Sequence, residues 1–106
     1  IGAVLFNAFL QDGWREAGKK KEAVTLATVV KHMQRICDIA GDTKHAAIGS
    51  DFDGGFGMEA IPAELDTVAD LYKIGDALAA AKFSDADIDN ILGQNWIRLL
   101  RRALPV

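Results

Sequence analysis

A chain of 106 residues, half of them apolar, holds enough material for one compact domain or for a piece of a larger one. Its formal net charge of −3, with Lys19–Lys21 as the compact basic run, argues against a nucleic-acid surface, and the three lysines read as a solvated loop. No apolar run approaches the ~20 residues of a bilayer span, no signal-peptide or lipid-anchor pattern marks either end, and the lone Cys37 excludes an internal disulfide and fits a reducing, cytoplasmic compartment.

Ile1 to Phe6 is a continuous apolar run without alternation, which predicts a strand over 1–7 covered on both faces, as in a parallel sheet. The chain opens inside this run without a Met, as a fragment would. From Asn7 to Val24 the glycines, Trp14 and the lysines read as a loop with room for one helical turn. Between Thr25 and Ala40, the residues Leu26, Val29, Val30, Met33, Ile36, Cys37 and Ala40 follow the three-and-four spacing of one apolar helix face, and Gly41 supplies a C-terminal cap. A second strand over 46–50 follows. The order strand, helix, strand is a βαβ unit.

An acidic, glycine-rich loop that opens on "DFDGGFG" occupies 51–62 after that strand. Helices fill 64–103: one from Glu64 to Lys82, one from a Ser84/Asp87 capping box to Leu92, a break at Gly93, and a last stretch in "NWIRLLRR".

In parallel α/β sheets, reactive side chains stand at the carboxyl ends of strands, which is where Asp51 falls. A carboxylate there can move a proton, bind a cation or hold a metal, whereas a plain Asp/Gly turn needs no ligand at all. A calcium hand fails, because "DFDGGFGMEAIP" has Phe56 at its sixth position and Pro62 at its twelfth. No GxGxxG or Walker pattern supports a phosphate loop. His32 and His45 lie in no metal-ligand spacing and read as packing or hydrogen-bonding residues. Cys37 reads as a buried small hydrophobe, and Trp14 and Trp96 as core anchors.

Taken in order, "TLATVVKHMQRICDIAG", "HAAIGSDFDGG" and "DADIDNILGQNWIRLL" resemble the closing part of the membrane (renal) dipeptidase family, zinc metallopeptidases of the amidohydrolase superfamily. "IGSDFDG" and the Gly-x-Asn-x-x-Arg pattern in "ILGQNWIR" carry most of the likeness. The resemblance implies a helix-rich α/β chain: the C-terminal fragment of a (β/α)8 TIM barrel, comprising its last two strand–helix units and a helical tail.

It further implies hydrolysis of dipeptides with two zinc ions as cofactor, whose ligands lie outside this chain. Asp51 matches the acid that contacts the substrate amine and relays a proton to the leaving nitrogen. Asn7 matches an Asn at the end of the preceding barrel strand, Phe9 lies near an aromatic lining the substrate pocket, and Asp53 matches the second acid of the motif. The implied partner is a dipeptide, with no nucleic acid and no membrane. An isolated piece of a barrel leaves strand edges open, so the fragment is expected to lack activity and to self-associate. The competing readings are a non-catalytic α/β binding module that uses the acidic loop for a cation or partner, and a family member without metals.

Overall fold

A computed structural model describes residues 1–105. Two strands, β1 (Gly2–Ala3) and β2 (Ala47–Ile48), pair in parallel, with Gly2 opposite Ala47 and Ala3 opposite Ile48. Backbone bonds carry the pairing past both strands: Ala47 N–H donates to the Ile1 carbonyl at 2.9 Å, Gly49 N–H to Ala3 at 2.9 Å, and Leu5 N–H to Ser50 at 3.1 Å. A Cβ on Gly2 would stand 2.7 Å from the Gly49 Cα, so the backbones come this close because neither residue has a side chain.

The strand is shorter than the predicted 1–7. Asn7 instead opens a short helix, α1 (Asn7–Leu10), because the Phe6 carbonyl turns away from the sheet and accepts the N–H groups of Phe9 and Leu10.

The crossover helix α2 (Leu26–Ala40) buries Leu26, Val29, Val30, Met33 and Cys37. Thr25 does not cap it. The Glu64 carboxylate accepts the Leu26 N–H at 2.8 and 3.2 Å, placing an anion at the positive end of the helix. At the other end Gly41 adopts a left-handed φ of 80° and donates its N–H to the Cys37 carbonyl.

Beyond the glycine-rich loop, residues 64–67 turn rather than coil. A 3-10 stretch, Val68–Tyr72, leads into α3 (Lys73–Ala80), and its start is fixed by Thr67 and Asp70 capping each other's backbone. Ser84 accepts the Asp87 N–H at 3.2 Å to begin α4 (Asp85–Asp89). Gly93 does not break the chain there. A π-helical turn, Asn90–Gln94, carries the coil through it into α5 (Asn95–Ala103). A glycine costs a helix only about 1 kcal/mol, and the wide turn keeps both Ile91 and Asn95 facing inward.

The core joins β1, α2, α3 and the π turn through Leu5, Val24, Val29, Met33, Leu65, Ile74, Leu78 and Ile91, all with no solvent exposure. Trp14 belongs to it at 4% exposure, but Trp96 does not: it stands 37% exposed and donates its ring N–H to the Ile48 carbonyl. The molecule is thus a helix-rich α/β unit around a two-stranded parallel sheet, consistent with a fragment of a larger domain. Among the described residues no helix is long and apolar enough to cross a membrane.

Candidate active site

The loops after β1 and β2 leave the sheet on the same side and meet there. Asp51 follows β2 by three residues, is exposed, and takes a left-handed φ of 57°; Asp53 does the same at 68°. Such backbone is disfavoured for residues with a side chain, though Asp tolerates it better than most. The turn is closed by a bond from the Gly54 N–H to the Asp51 carbonyl, and the Asp51 carboxylate lies over Gly54, where a Cβ would collide with it. The ion pairs among the described residues, Lys21–Asp66, His45–Asp42 and Lys73–Asp70, leave Asp51 out. Its carboxylate therefore faces solvent at the end of a strand.

The residues that follow Asp51 border a cleft of ≈180 Å³, lined by Phe52, Asp53, Phe56, Gly57, Met58, Ile61 and Asp66; Asp51 itself does not line it. Phe6, at the end of the β1 run, stacks on Phe56 with ring centres 4.3 Å apart, and the Arg15 guanidinium sits 5.5 Å from the Phe6 ring centre. The two loops are thereby joined face to face.

Asn7, next to Phe6 in the chain, is fully buried. Its amide donates to the Ile61 carbonyl at 3.1 Å and the Lys21 carbonyl at 3.3 Å, while its Oδ1 has no partner. Phe9 is 65% exposed and packs edge-on against Phe6, but it borders a different hollow with His32, Arg35 and Ile36. The structure thus does not gather Asp51, Asn7 and Phe9 around one cavity.

Lys21 is not the solvated residue that its neighbours suggest. Its Nζ reaches over the far end of the glycine-rich loop and donates to the carbonyls of Met58, Ile61, Pro62 and Leu65. No spacing rule marks it within a run of three lysines; only the tertiary fold selects it.

The histidines sit apart from the site. His32 shares a hydrogen bond with the Leu10 carbonyl, and His45 one with the Asp42 carboxylate. Among the described residues no group of three or more His, Cys, Asp or Glu could hold a metal ion. Burial pushes the Cys37 thiol above its usual pKa, as suits a packed, unreactive side chain.

The Gly-x-Asn-x-x-Arg pattern has a structural meaning at the opposite end of the strands. Asn95 donates to the carbonyls of Thr43 and Ala46, both at 2.7 Å, and Arg98 to that of Lys44 at 2.6 Å. Together they strap α5 to the entry of β2, the strand that presents Asp51.

Comparison with known proteins identifies the family. The family model described as membrane dipeptidase (peptidase family M19) matches residues 1–105. A Klebsiella pneumoniae protein described as an uncharacterized protein in the pqqA 5′ region is 35% identical over 101 residues, covering 95% of this chain and 34% of its own length. An uncharacterized dipeptidase of Schizosaccharomyces pombe is 31% identical over 78 residues, covering 74% of this chain and 18% of its own. No solved structure matches. This chain, about a third of the length of the first relative and less of the second, belongs to the membrane dipeptidase family, peptidase family M19.

Proposed function

We propose that this chain forms the C-terminal part of a dipeptidase barrel of (β/α)8 type and presents Asp51 to the substrate. The observation that carries this reading is an exposed carboxylate, outside every ion pair of the described residues, held in left-handed backbone at the end of a parallel strand. Residues kept in such conformations tend to mark functional sites. The family match over 1–105 and the name of the yeast relative, a dipeptidase, support peptide-bond hydrolysis.

A dipeptide carries a free α-ammonium group one residue from the scissile amide. The Asp51 side-chain oxygens would accept hydrogen bonds from that ammonium and fix the substrate's register. The amide nitrogen is a poor leaving group until protonated, so a carboxyl within reach of it speeds departure. In this reading Asp51 holds the ammonium and relays a proton. As a water oxygen adds to the scissile carbonyl carbon, Asp51 takes a proton from that water and passes it to the amide nitrogen, which leaves as the C–N bond breaks. The cleft beside Phe52 and Phe56 would face a substrate side chain, and Asn7 would brace the loop through its bond to the Ile61 carbonyl; Phe9, on a separate hollow, has no part in that cleft.

The described residues do not fit a zinc site by themselves, since both histidines are held elsewhere and no trio of donors converges among them. Zinc, if the full-length protein uses it, is held by ligands outside these residues.

The test is Asp51→Asn in the full-length protein, with dipeptide turnover and metal content measured together. Loss of turnover by about 10²–10⁴-fold at unchanged metal content supports the role. Near-normal turnover would dismiss it.

A further inference from the structure

We propose that Lys21 is a positioning residue whose ammonium is a built-in cation holding closed the wall of the Asp51 loop. Four carbonyls from one segment converge on its Nζ: Met58 at 2.8 Å, Pro62 at 3.0 Å, Ile61 at 3.3 Å, and Leu65. The Asp66 carboxylate stands 3.7 Å away, and the Lys21 side chain is only 20% exposed.

A solvated lysine keeps its rotamer freedom, and fixing it has an entropic cost that a lone surface contact does not offset. Here the side chain crosses from the loop after β1 to the segment after β2. Carbonyl dipoles that point at one centre repel each other unless a positive charge occupies it. An ammonium donates three tetrahedral hydrogen bonds, and hydrogen bonds to a charged group are stronger than neutral ones. The curl of 58–65 therefore depends on the cation it surrounds.

That curl forms one wall of the cleft that Asp53 borders, two residues beyond Asp51. Met58, Ile61 and Asp66 line it directly, while Phe52, Asp53 and Phe56 line the other part. Two further bonds fasten the same segment: Asn7 Nδ2 to the Ile61 carbonyl, and the Ala63 N–H to the Val24 carbonyl at 2.8 Å. Toward its other end, from Asp51 to Gly57, the loop has left-handed turns and glycines. That end is held to the loop after β1 by the Phe6–Phe56 stack, and Lys21 supplies the anchor at the other. The anchoring itself is independent of the dipeptidase reading; its effect on substrate binding rests on that reading.

The experiment uses the full-length protein and compares wild type with Lys21→Ala by hydrogen exchange of the segment 52–63. In Lys21→Ala, exchange at 58–63 accelerates at least about tenfold, while the core of α2 is unchanged. Added n-butylammonium restores protection, because it refills the carbonyl cage with N–H donors. Tetramethylammonium, with equal charge and no donor, does not. Lys21→Arg remains loose, since a planar guanidinium cannot direct its N–H groups at carbonyls gathered around a point.

If Lys21→Ala does not fold, Lys21→Met keeps the aliphatic stem and is read by the same exchange measurement. With dipeptide as substrate, KM rises about tenfold in the Ala variant while kcat changes little, and n-butylammonium reverses the rise. Unchanged exchange in the variants, or equal rescue by tetramethylammonium, overturns the proposal. A wild-type protein that cleaves no dipeptide, yet shows the exchange effect and its selective rescue, sinks the dipeptidase reading and leaves the anchor standing.

Discussion

The Phe6 and Phe56 rings lie nearly parallel, 16° apart in plane with centres at 4.3 Å, and this one stack joins the loop after β1 to the glycine-rich loop after β2. Phe6 also receives Trp14 and Phe9 edge-on, at 6.5 and 5.0 Å. Its ring is the hub and Phe56 the spoke that reaches the cleft. Phe56→Ala should lower stability by about 1–2 kcal/mol, through lost apolar burial and the lost aromatic pair. Phe56→Leu keeps much of the burial and should recover part of the loss. Denaturant midpoints of the three proteins check the order; equal midpoints would show that the stack holds nothing.

How much of this could be read in the residues differs from element to element. The helix α2 was legible because its apolar face is fully buried, so the spacing from Leu26 to Cys37 had to be regular. The likeness to the dipeptidase family was legible in short fixed motifs, and the family match covers the same residues. The end of β1 was not legible: Asn7 leaves the strand for a helical turn because its amide is needed by carbonyls of Lys21 and Ile61, residues far along the chain. Gly93 looked like a stop because glycine weakens helices, but the fold needed an extra residue in that turn more than it needed a break. Lys21 and Trp96 illustrate the same limit. Each side chain answers to backbone carbonyls in another segment, and carbonyls leave no trace in sequence pattern. Of the candidate site, Asp51 could be placed at a strand end from order alone, whereas the Phe6–Phe56 contact could not.

Asn95 offers a test of the strap behind the site. Its amide holds the carbonyls of Thr43 and Ala46 at 2.7 Å in an environment only 6% exposed. Asn95→Ala leaves both acceptors without their donor and opens a small cavity, for an expected loss of about 2–4 kcal/mol. Asn95→Asp should be at least as harmful at neutral pH, because an ionised carboxylate has no proton to offer two carbonyls and is itself buried. Thermal melts of the two variants decide the matter. An Asp variant as stable as wild type would mean that Asn95 fills space rather than bonding.

Acid sensitivity follows from three aspartates held below the usual carboxylate range. The Thr43 hydroxyl, bonded at 2.7 Å, and then Ser84 hold Asp87 down; the amide of Lys44 and then His45 do so for Asp42; the amides of Asp66 and Thr67, followed by Lys73, do so for Asp70. A carboxyl whose folded pKa is depressed stabilises the fold above its unfolded pKa, near ~3.9, and that share is lost as pH falls through the folded value. Stability should therefore be level near neutrality and decline once pH drops below about 4. Thr43→Val removes the hydroxyl that does most to hold Asp87 down, so the Asp87 pKa rises toward its ordinary value. The melting temperatures of Thr43→Val and wild type should then differ most at neutral pH and converge as the pH falls below the folded pKa of Asp87. Carboxyl NMR titration of Asp87 in both proteins gives the direct reading. An unmoved Asp87 pKa, or a gap in melting temperature that stays constant down to low pH, would show that this hydrogen bond carries no charge-dependent stability.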